Sequence, residues 1–342
     1  IADIFHGGEQ QWEVPEVYIS YLWQNAYFFT KLPNNPLSLL STLDSKFSKI
    51  LVYTALSLAS GFIFSLLSFV VIHLLSGVSF GNIYSIVNNL DTVDNVTLMK
   101  VLLFINSFGL FVLPTLLFCF IFRLPILDFF RLRELRTIQL LPVLILLFVL
   151  FLPILNYTVE LNKLLQLPDW MSGLEDWMRN AENEATVKTE ALLRMDTYSN
   201  LIVNILLIGF LPAIGEELAF RGVIQQTLIG KSDNPHLGIW GAAFIFSFIH
   251  FQFFGFLPRF LLGAFFGYLF YWSKSLWLPI LGHFINNSSA VLISFYLKEN
   301  GVEKKLEQIG TTEETNYFPL ISVVLFGGLL YYFKKQCDRL LT

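Results

Sequence analysis

Residues 201–230 read LIVNILLIGFLPAIGEELAFRGVIQQTLIG, a run that would pass for a membrane helix if Glu216, Glu217 and Arg221 did not interrupt it. One charged side chain at the centre of a bilayer helix costs about 2.5 to 3.5 kcal/mol even on lenient insertion scales, so such residues face a protein interior or a wet cavity. Two carboxylates and a guanidinium in one span therefore point to a polar site inside a helical bundle. Glu217 and Arg221 stand four apart, on one face and within reach of an ion pair, whereas Glu216 is turned about 100° away. Glu216 has no counterion on its own helix. A carboxylate kept from water holds its proton more readily than one in solution, which suits a group exchanging protons near neutral pH. An ion pair that only locks helix packing explains Glu217 and Arg221 equally well; it explains Glu216 less well.

The rest of the composition supports the membrane reading. Of 342 residues 55% are hydrophobic and only 14% charged, against about 25% charged in an ordinary soluble chain. The mean hydropathy is +0.61. A net charge of −4 without a clustered basic face gives no sign of nucleic-acid binding. Cys119 and Cys337 offer neither a disulfide framework nor a zinc-ligand spacing, so both are expected as free thiols.

Measured against the roughly 20 residues needed to cross the hydrocarbon core, about eight apolar stretches are expected to span. They lie near residues 50–76, 98–122, 138–157, 198–229, 237–254, 256–272, 276–297 and 317–333. The fold class is thus all-α, a polytopic membrane protein of about eight transmembrane helices with the polar site in the bundle. The fifth and sixth stretches are short and separated only by Phe254, Gly255 and Phe256, which suits a tight hairpin or a re-entrant segment. Gly263 and Gly267 have the GxxxG spacing that lets helices approach closely.

Lys and Arg accumulate on the cytoplasmic side of membrane proteins. The loop with Arg123, Arg131, Arg133 and Arg136 is read as cytoplasmic, together with Lys46 and Lys49 before the first span and Lys334, Lys335 and Arg339 after the last. Eight spans then place both termini in the cytoplasm. The acid-rich segment 158–197 falls outside and is expected to hold an interfacial or solvent helix.

Two domains are expected: an N-terminal polar and aromatic segment, residues 1–49, interfacial or partner-docking, and a transmembrane domain, residues 50–342, with its motif core at 198–297. The opening IADIFHGGEQQ is polar and lacks a basic n-region, so no secretory signal peptide is expected.

Two further helices carry polar pairs at helical spacing. FIFSFIHF places Phe246 and His250 four apart, and LWLPILGHFINNSSA places His283 and Asn287 four apart. Alone, each is most simply a hydrogen-bonding group that knits helices together. Their joint occurrence changes that weighing. Outside these positions the assigned spans hold one more histidine, His73, and few ionisable groups, chiefly Lys100 and Arg259 near span ends. The register sets His250 toward the outside and His283 toward the cytoplasm, so convergence on Glu216 requires tilt or shifted span boundaries.

The ordered set EExxxR (Glu216, Glu217, Arg221), FxxxH (Phe246, His250) and HxxxN (His283, Asn287) resembles the three motifs of the CAAX-protease and bacteriocin-processing family of intramembrane proteases, without substitution. The resemblance covers roughly residues 138–297. Each motif alone is unspecific; the set in this order within a polytopic chain is a strong signal.

The resemblance implies an intramembrane endopeptidase, a hydrolase of membrane-associated or lipidated peptides or proteins, in a bacterial inner (cell) membrane. It implies Glu216 as the general base on water, His250 as a holder of that water, His283 and Asn287 as oxyanion donors, and Glu217, Arg221 and Phe246 as supporting residues. The family name says metalloprotease, and a zinc ion held by His250, His283 and Glu216 with a fourth position open would suit catalytic zinc chemistry. A metal-free glutamate mechanism is the preferred expectation. Expected partners are the substrate, the lipid bilayer and a protein docking on residues 1–49, with no nucleic acid. The rival functions are a proton-coupled transporter, which needs a polar path through the membrane, and a catalytically silent immunity or scaffold protein.

Overall fold

The computed structural model describes residues 45–83, 93–230, 234–297, 306 and 308–342. They lie in one compact unit, Ser45–Thr342. The segment proposed as residues 1–49 lies outside the described residues as far as Asp44; its last five residues already belong to the first helix and its cap.

The fold is all-α as expected, with no strand among the described residues. In chain order the longer helices are α1 (Lys46–Ser76), α2 (Asn95–Ile121), α3 (Arg136–Lys163), α4 (Ser172–Leu192), α5 (Tyr198–Ile229), α6 (Pro235–Phe248), α7 (Phe253–Ser273), α8 (Trp277–Leu297) and α9 (Phe318–Leu341). All but α4 and α6 are long and apolar enough to cross a membrane, which makes seven such helices among the described residues. The chain is a multi-pass membrane protein. The fifth expected span, 237–254, resolves into α6 and a turn. At 14 residues, α6 is about 21 Å long, short of the roughly 30 Å hydrocarbon core.

α1 starts at Lys46, four residues before the expected span, because Ser45 caps it by accepting from the Ser48 amide at 3.0 Å. It stops at Gly77, whose φ of +68° is the left-handed conformation that ends helices and favours glycine. α5 is not a uniform α-helix. Ile205–Phe210 and Leu218–Gln225 are π-helical, and Pro212 sits between them. Such widened turns are uncommon and concentrate at functional sites.

α6 and α7 form the expected antiparallel hairpin. His236 Nδ1 meets the Tyr268 hydroxyl at 2.7 Å at one end, and Ser247 Oγ donates to the Phe256 carbonyl at 2.6 Å at the other. Glycine makes the close approach possible. A Cβ on Gly263 would stand 3.2 Å from Ala243 Cα, and one on Gly267 would stand 2.8 Å from Ile239 Cγ2 and Gln225 Oε1.

One end of the bundle gathers the basic residues. Lys46 Nζ donates to the last carbonyls of α5, Leu228 and Ile229, at 2.9 and 2.8 Å. Gln226 Nε2 reaches the Phe129 carbonyl, Ser275 Oγ the Glu134 carbonyl and Trp277 Nε1 the Leu132 carbonyl, so the arginine-rich loop lies against the ends of α5 and α7 and the start of α8. Phe333 and Cys337 of α9 pack with Leu140 and Leu144 at the start of α3. The opposite end holds α4 and the turn after α6.

Candidate active site

The site is built on α5, α6, α7 and α8. Glu217 is fully buried, and its Oε1 accepts from Arg221 Nη1 at 2.8 Å within α5 and from His283 Nδ1 at 2.8 Å across to α8. Arg221, 1% exposed, gives a second donor, Nη2, to the Gly263 carbonyl of α7 at 2.8 Å. Its guanidinium centre lies 4.9 Å from the Phe246 ring centre and 5.2 Å from that of Phe266. An arginine fork between two aromatic faces gains cation–π attraction in addition to its ion pair. One turn further on, Gln225 Nε2 donates to the Gly267 carbonyl at 3.0 Å, so the two glycines of α7 also offer their backbone to α5.

His283 is held on three sides. Glu217 takes its Nδ1, Phe266 stacks on its ring with centres 5.2 Å apart, and Phe246 meets it edge-on at 6.2 Å. A carboxylate only accepts, so the Nδ1 facing Glu217 carries a proton. That leaves Nε2 facing Glu216, 3.9 Å from its Oε2. This separation is beyond hydrogen-bond length. Glu216 is the less buried of the two carboxylates, with 13% of its side chain exposed against none for Glu217. The counterion missing from its own helix is replaced by a histidine 67 residues away. Glu217 Oε2 finds no hydrogen-bond donor in this structure.

His250 does not lie within a helix. α6 ends at Phe248, and His250 belongs to the turn that follows. Its Nδ1 lies 2.6 Å from the Phe246 carbonyl and its ring meets the Phe246 ring at 4.9 Å, so the FxxxH pair stays in contact although the helical face it was expected to share has ended. Both Glu216 and His283 are among the charges that act on His250. The mismatch of register expected from the spans is absorbed by this turn and by direct contact of α5 with α8.

Asn287, one turn beyond His283, donates from Nδ2 to the Ile208 carbonyl at 2.9 Å. Four residues after Ile208 stands Pro212, which has no N–H to give back to that carbonyl. The carbonyl left over by a proline in α5 thus fixes the asparagine of α8. Gly209 keeps this contact close, since a Cβ there would stand 2.3 Å from Ser288 Oγ. An amide nitrogen carries two hydrogens, so one N–H of Asn287 is left for a ligand.

The ligand set considered for zinc, His250, His283 and Glu216, does not come together as a shell. His283 Nδ1 is bound to Glu217 and His250 Nδ1 to the Phe246 carbonyl. Among the described residues no group of three His, Cys, Asp or Glu side chains is placed to hold a metal ion.

The structure thus brings together Glu216, Glu217, Arg221, Phe246, His250 and His283, with Asn287 anchored one turn away. Sequence reasoning missed Phe266 and the double role of Glu217 as partner of both Arg221 and His283. Phe266 sits beside Gly267 in an unbroken aromatic run, and no local pattern marks it.

This is a helical, multi-pass membrane protein with a buried glutamate, histidine and arginine cluster between its central helices. Residues 198–289 match the Rce1-like family, described as type II CAAX prenyl endopeptidase Rce1-like. That family is the one the three motifs resemble. The chain is also 31% identical over 88 residues to the uncharacterized protein YpbD of Bacillus subtilis (strain 168), an alignment covering 25% of this chain and 42% of the relative. It therefore spans about two fifths of that relative's length. No solved structure matches the chain.

Proposed function

We propose that this protein is an intramembrane endopeptidase of the CAAX type, acting on a peptide or protein held at the membrane, with a lipidated cysteine peptide as the substrate class the family description favours. One observation carries the reading. Glu216 Oε2 and His283 Nε2 face each other at 3.9 Å while each of the flanking polar groups, Glu217, Arg221 and the Nδ2 of Asn287, already has a partner.

Glu216 serves as the general base: it takes one proton from a water molecule while the water oxygen bonds to the substrate carbonyl carbon. A carboxylate within hydrogen-bond reach, directly or through one water, is what that step needs. His250 borders the same space and holds the water. The carbonyl π electrons move onto oxygen as the tetrahedral intermediate forms, and the second N–H of Asn287 and the Nε2–H of His283 donate to it, the preorganised stabilisation that contributes most in acyl transfer. His283 donates from Nε2 only when both its nitrogens carry protons. Glu217 holds the Nδ1 proton throughout, and Arg221 neutralises Glu217. Collapse of the intermediate breaks the carbon–nitrogen bond, and the proton held by Glu216 passes to the leaving amine. No step runs through a metal.

The basic end of the bundle is assigned to the cytoplasm by the lysine and arginine rule, with Lys46 of α1 and Arg339 of α9 both on that side. The test is direct. Purified full-length protein is incubated in detergent with a prenylated peptide ending in a Cys-aliphatic-aliphatic-X tail, and the products are read by mass spectrometry. A released tripeptide supports the reading. An intact peptide across a panel of lipidated and unlipidated substrates contradicts it.

A further inference from the structure

The turn between α6 and α7 carries His250, yet nothing in residues 249–252 fixes where that histidine stands. Phe251, next in the chain, has φ of +52°, a left-handed conformation that a bulky residue keeps only when its surroundings hold it. The surroundings come from other elements. Asn162 of α3, 2% exposed, donates from Nδ2 to the Phe253 carbonyl at 2.6 Å and accepts at Oδ1 from the Leu257 amide at 2.8 Å. Glu182 of α4 accepts from the Phe254 amide at 3.2 Å. Arg259 of α7 donates from Nη1 to the Gln252 carbonyl at 3.0 Å.

The rings of α4 and of the turn pack together as well. Trp177 lies 6.4 Å from Phe251 and 5.5 Å from Phe253, and the Arg179 guanidinium stands 4.5 Å above the Phe254 ring. A connection that only had to join α6 to α7 would not need its backbone groups taken up by side chains of two other helices. Here both polar atoms of one buried amide are spent on it.

Taking the role of His250 from the proposed peptidase reading, we infer that Asn162 and Glu182 are positioning residues for His250. They touch neither substrate nor the reacting atoms. They clamp the backbone that follows His250, so the ring stays beside Glu216, and through Glu182 the helix α4, at the end opposite the basic one, shares in setting the geometry of a site inside the bundle.

Asn162→Leu keeps the bulk and removes both hydrogen bonds. Glu182→Leu removes the acceptor, and Glu182→Gln keeps one. The full chain in detergent is assayed with an internally quenched prenylated peptide, alongside its melting temperature and the ring resonances of 15N-labelled histidines, with His250 assigned through His250→Gln. Displacing a catalytic group by about 1 Å can lower a rate by about 100-fold, so kcat is expected to fall about 10- to 100-fold in Asn162→Leu. KM should stay within about twofold, the pattern of an interaction used in the transition state. Glu182→Leu should fall in the same direction and Glu182→Gln recover most of the loss. The His250 resonance should move in both leucine variants while that of His236 stays.

The inference is overturned if kcat is unchanged in both leucine variants, or if activity falls only in step with melting temperature while the His250 resonance stays in place. It is also overturned if Glu182→Gln is as impaired as Glu182→Leu. If the wild-type protein cleaves nothing, the peptidase reading fails on its own, and the His250 resonance alone decides whether the clamp sets that ring.

Discussion

Glu217 Oε1 stands 2.8 Å from His283 Nδ1 and 2.8 Å from Arg221 Nη1, so one buried oxygen ties two helices and two motifs together. The pair of Glu217 and Arg221 is both ion-paired and hydrogen-bonded, as a charge away from water must be. Removing one partner leaves the other uncompensated. Arg221→Ala should therefore lower stability by about 3 to 5 kcal/mol, the usual loss on breaking a buried pair. Arg221→Lys keeps the charge but loses the fork and its place between Phe246 and Phe266, and should fall between. Thermal melts in detergent check the order; an Arg221→Ala protein that melts with the wild type would remove the ion pair from the account.

Asn287 donates one N–H to the carbonyl that Pro212 leaves free, and the proposal assigns the other N–H to the oxyanion. Asn287→Leu should lower kcat by about 10²- to 10³-fold, as for loss of a single oxyanion donor. KM should change little. A variant whose KM rises while kcat holds would make Asn287 a binding residue instead.

Much of this was legible in the sequence, and the parts that were not share a cause. Glu217 with Arg221 shows at i, i+4 spacing, and the GxxxG of Gly263 and Gly267 announced the α6–α7 contact, because both are local patterns. The end of α6 was not legible: FSFIHFQFF runs on without a proline or glycine, and the helix stops where Asn162 and Glu182 hold the chain, both distant in sequence. The π turns of α5 leave only Pro212 as a local trace. The pairing of Glu217 with His283, 66 residues apart, depends on how α8 packs against α5. Motif order suggested that convergence; spacing within one helix did not contain it.

Thorough chelation should leave most peptidase activity intact, since the candidate ligands His250, His283 and Glu216 point to separate partners and do not form the three-ligand shell of a catalytic zinc site. Activity lost on chelation and restored by about one equivalent of zinc would reassign His250 and His283 as ligands.

The orientation is checked by cysteine accessibility in a Cys119→Ala, Cys337→Ala background. A cysteine at Arg133 in the loop before α3 should resist a membrane-impermeant thiol reagent in intact cells, and one at Glu184 on α4 should react. The reverse pattern would invert the topology.

The central claim is that Glu216, and not the bracing Glu217, takes the proton from water. Glu216→Gln preserves shape and hydrogen bonding but cannot accept that proton, so cleavage of the prenylated peptide should fall by about 10²- to 10⁴-fold, the range for loss of a general base. Its melting temperature should equal or exceed that of the wild type, because a carboxylate without a hydrogen-bonded counterion has been neutralised inside the membrane. Measured side by side on the purified full chain, that combination of a lost rate and a kept fold is the predicted result. A Glu216→Gln protein that cleaves at the wild-type rate, or that unfolds as readily as Arg221→Ala, would contradict it.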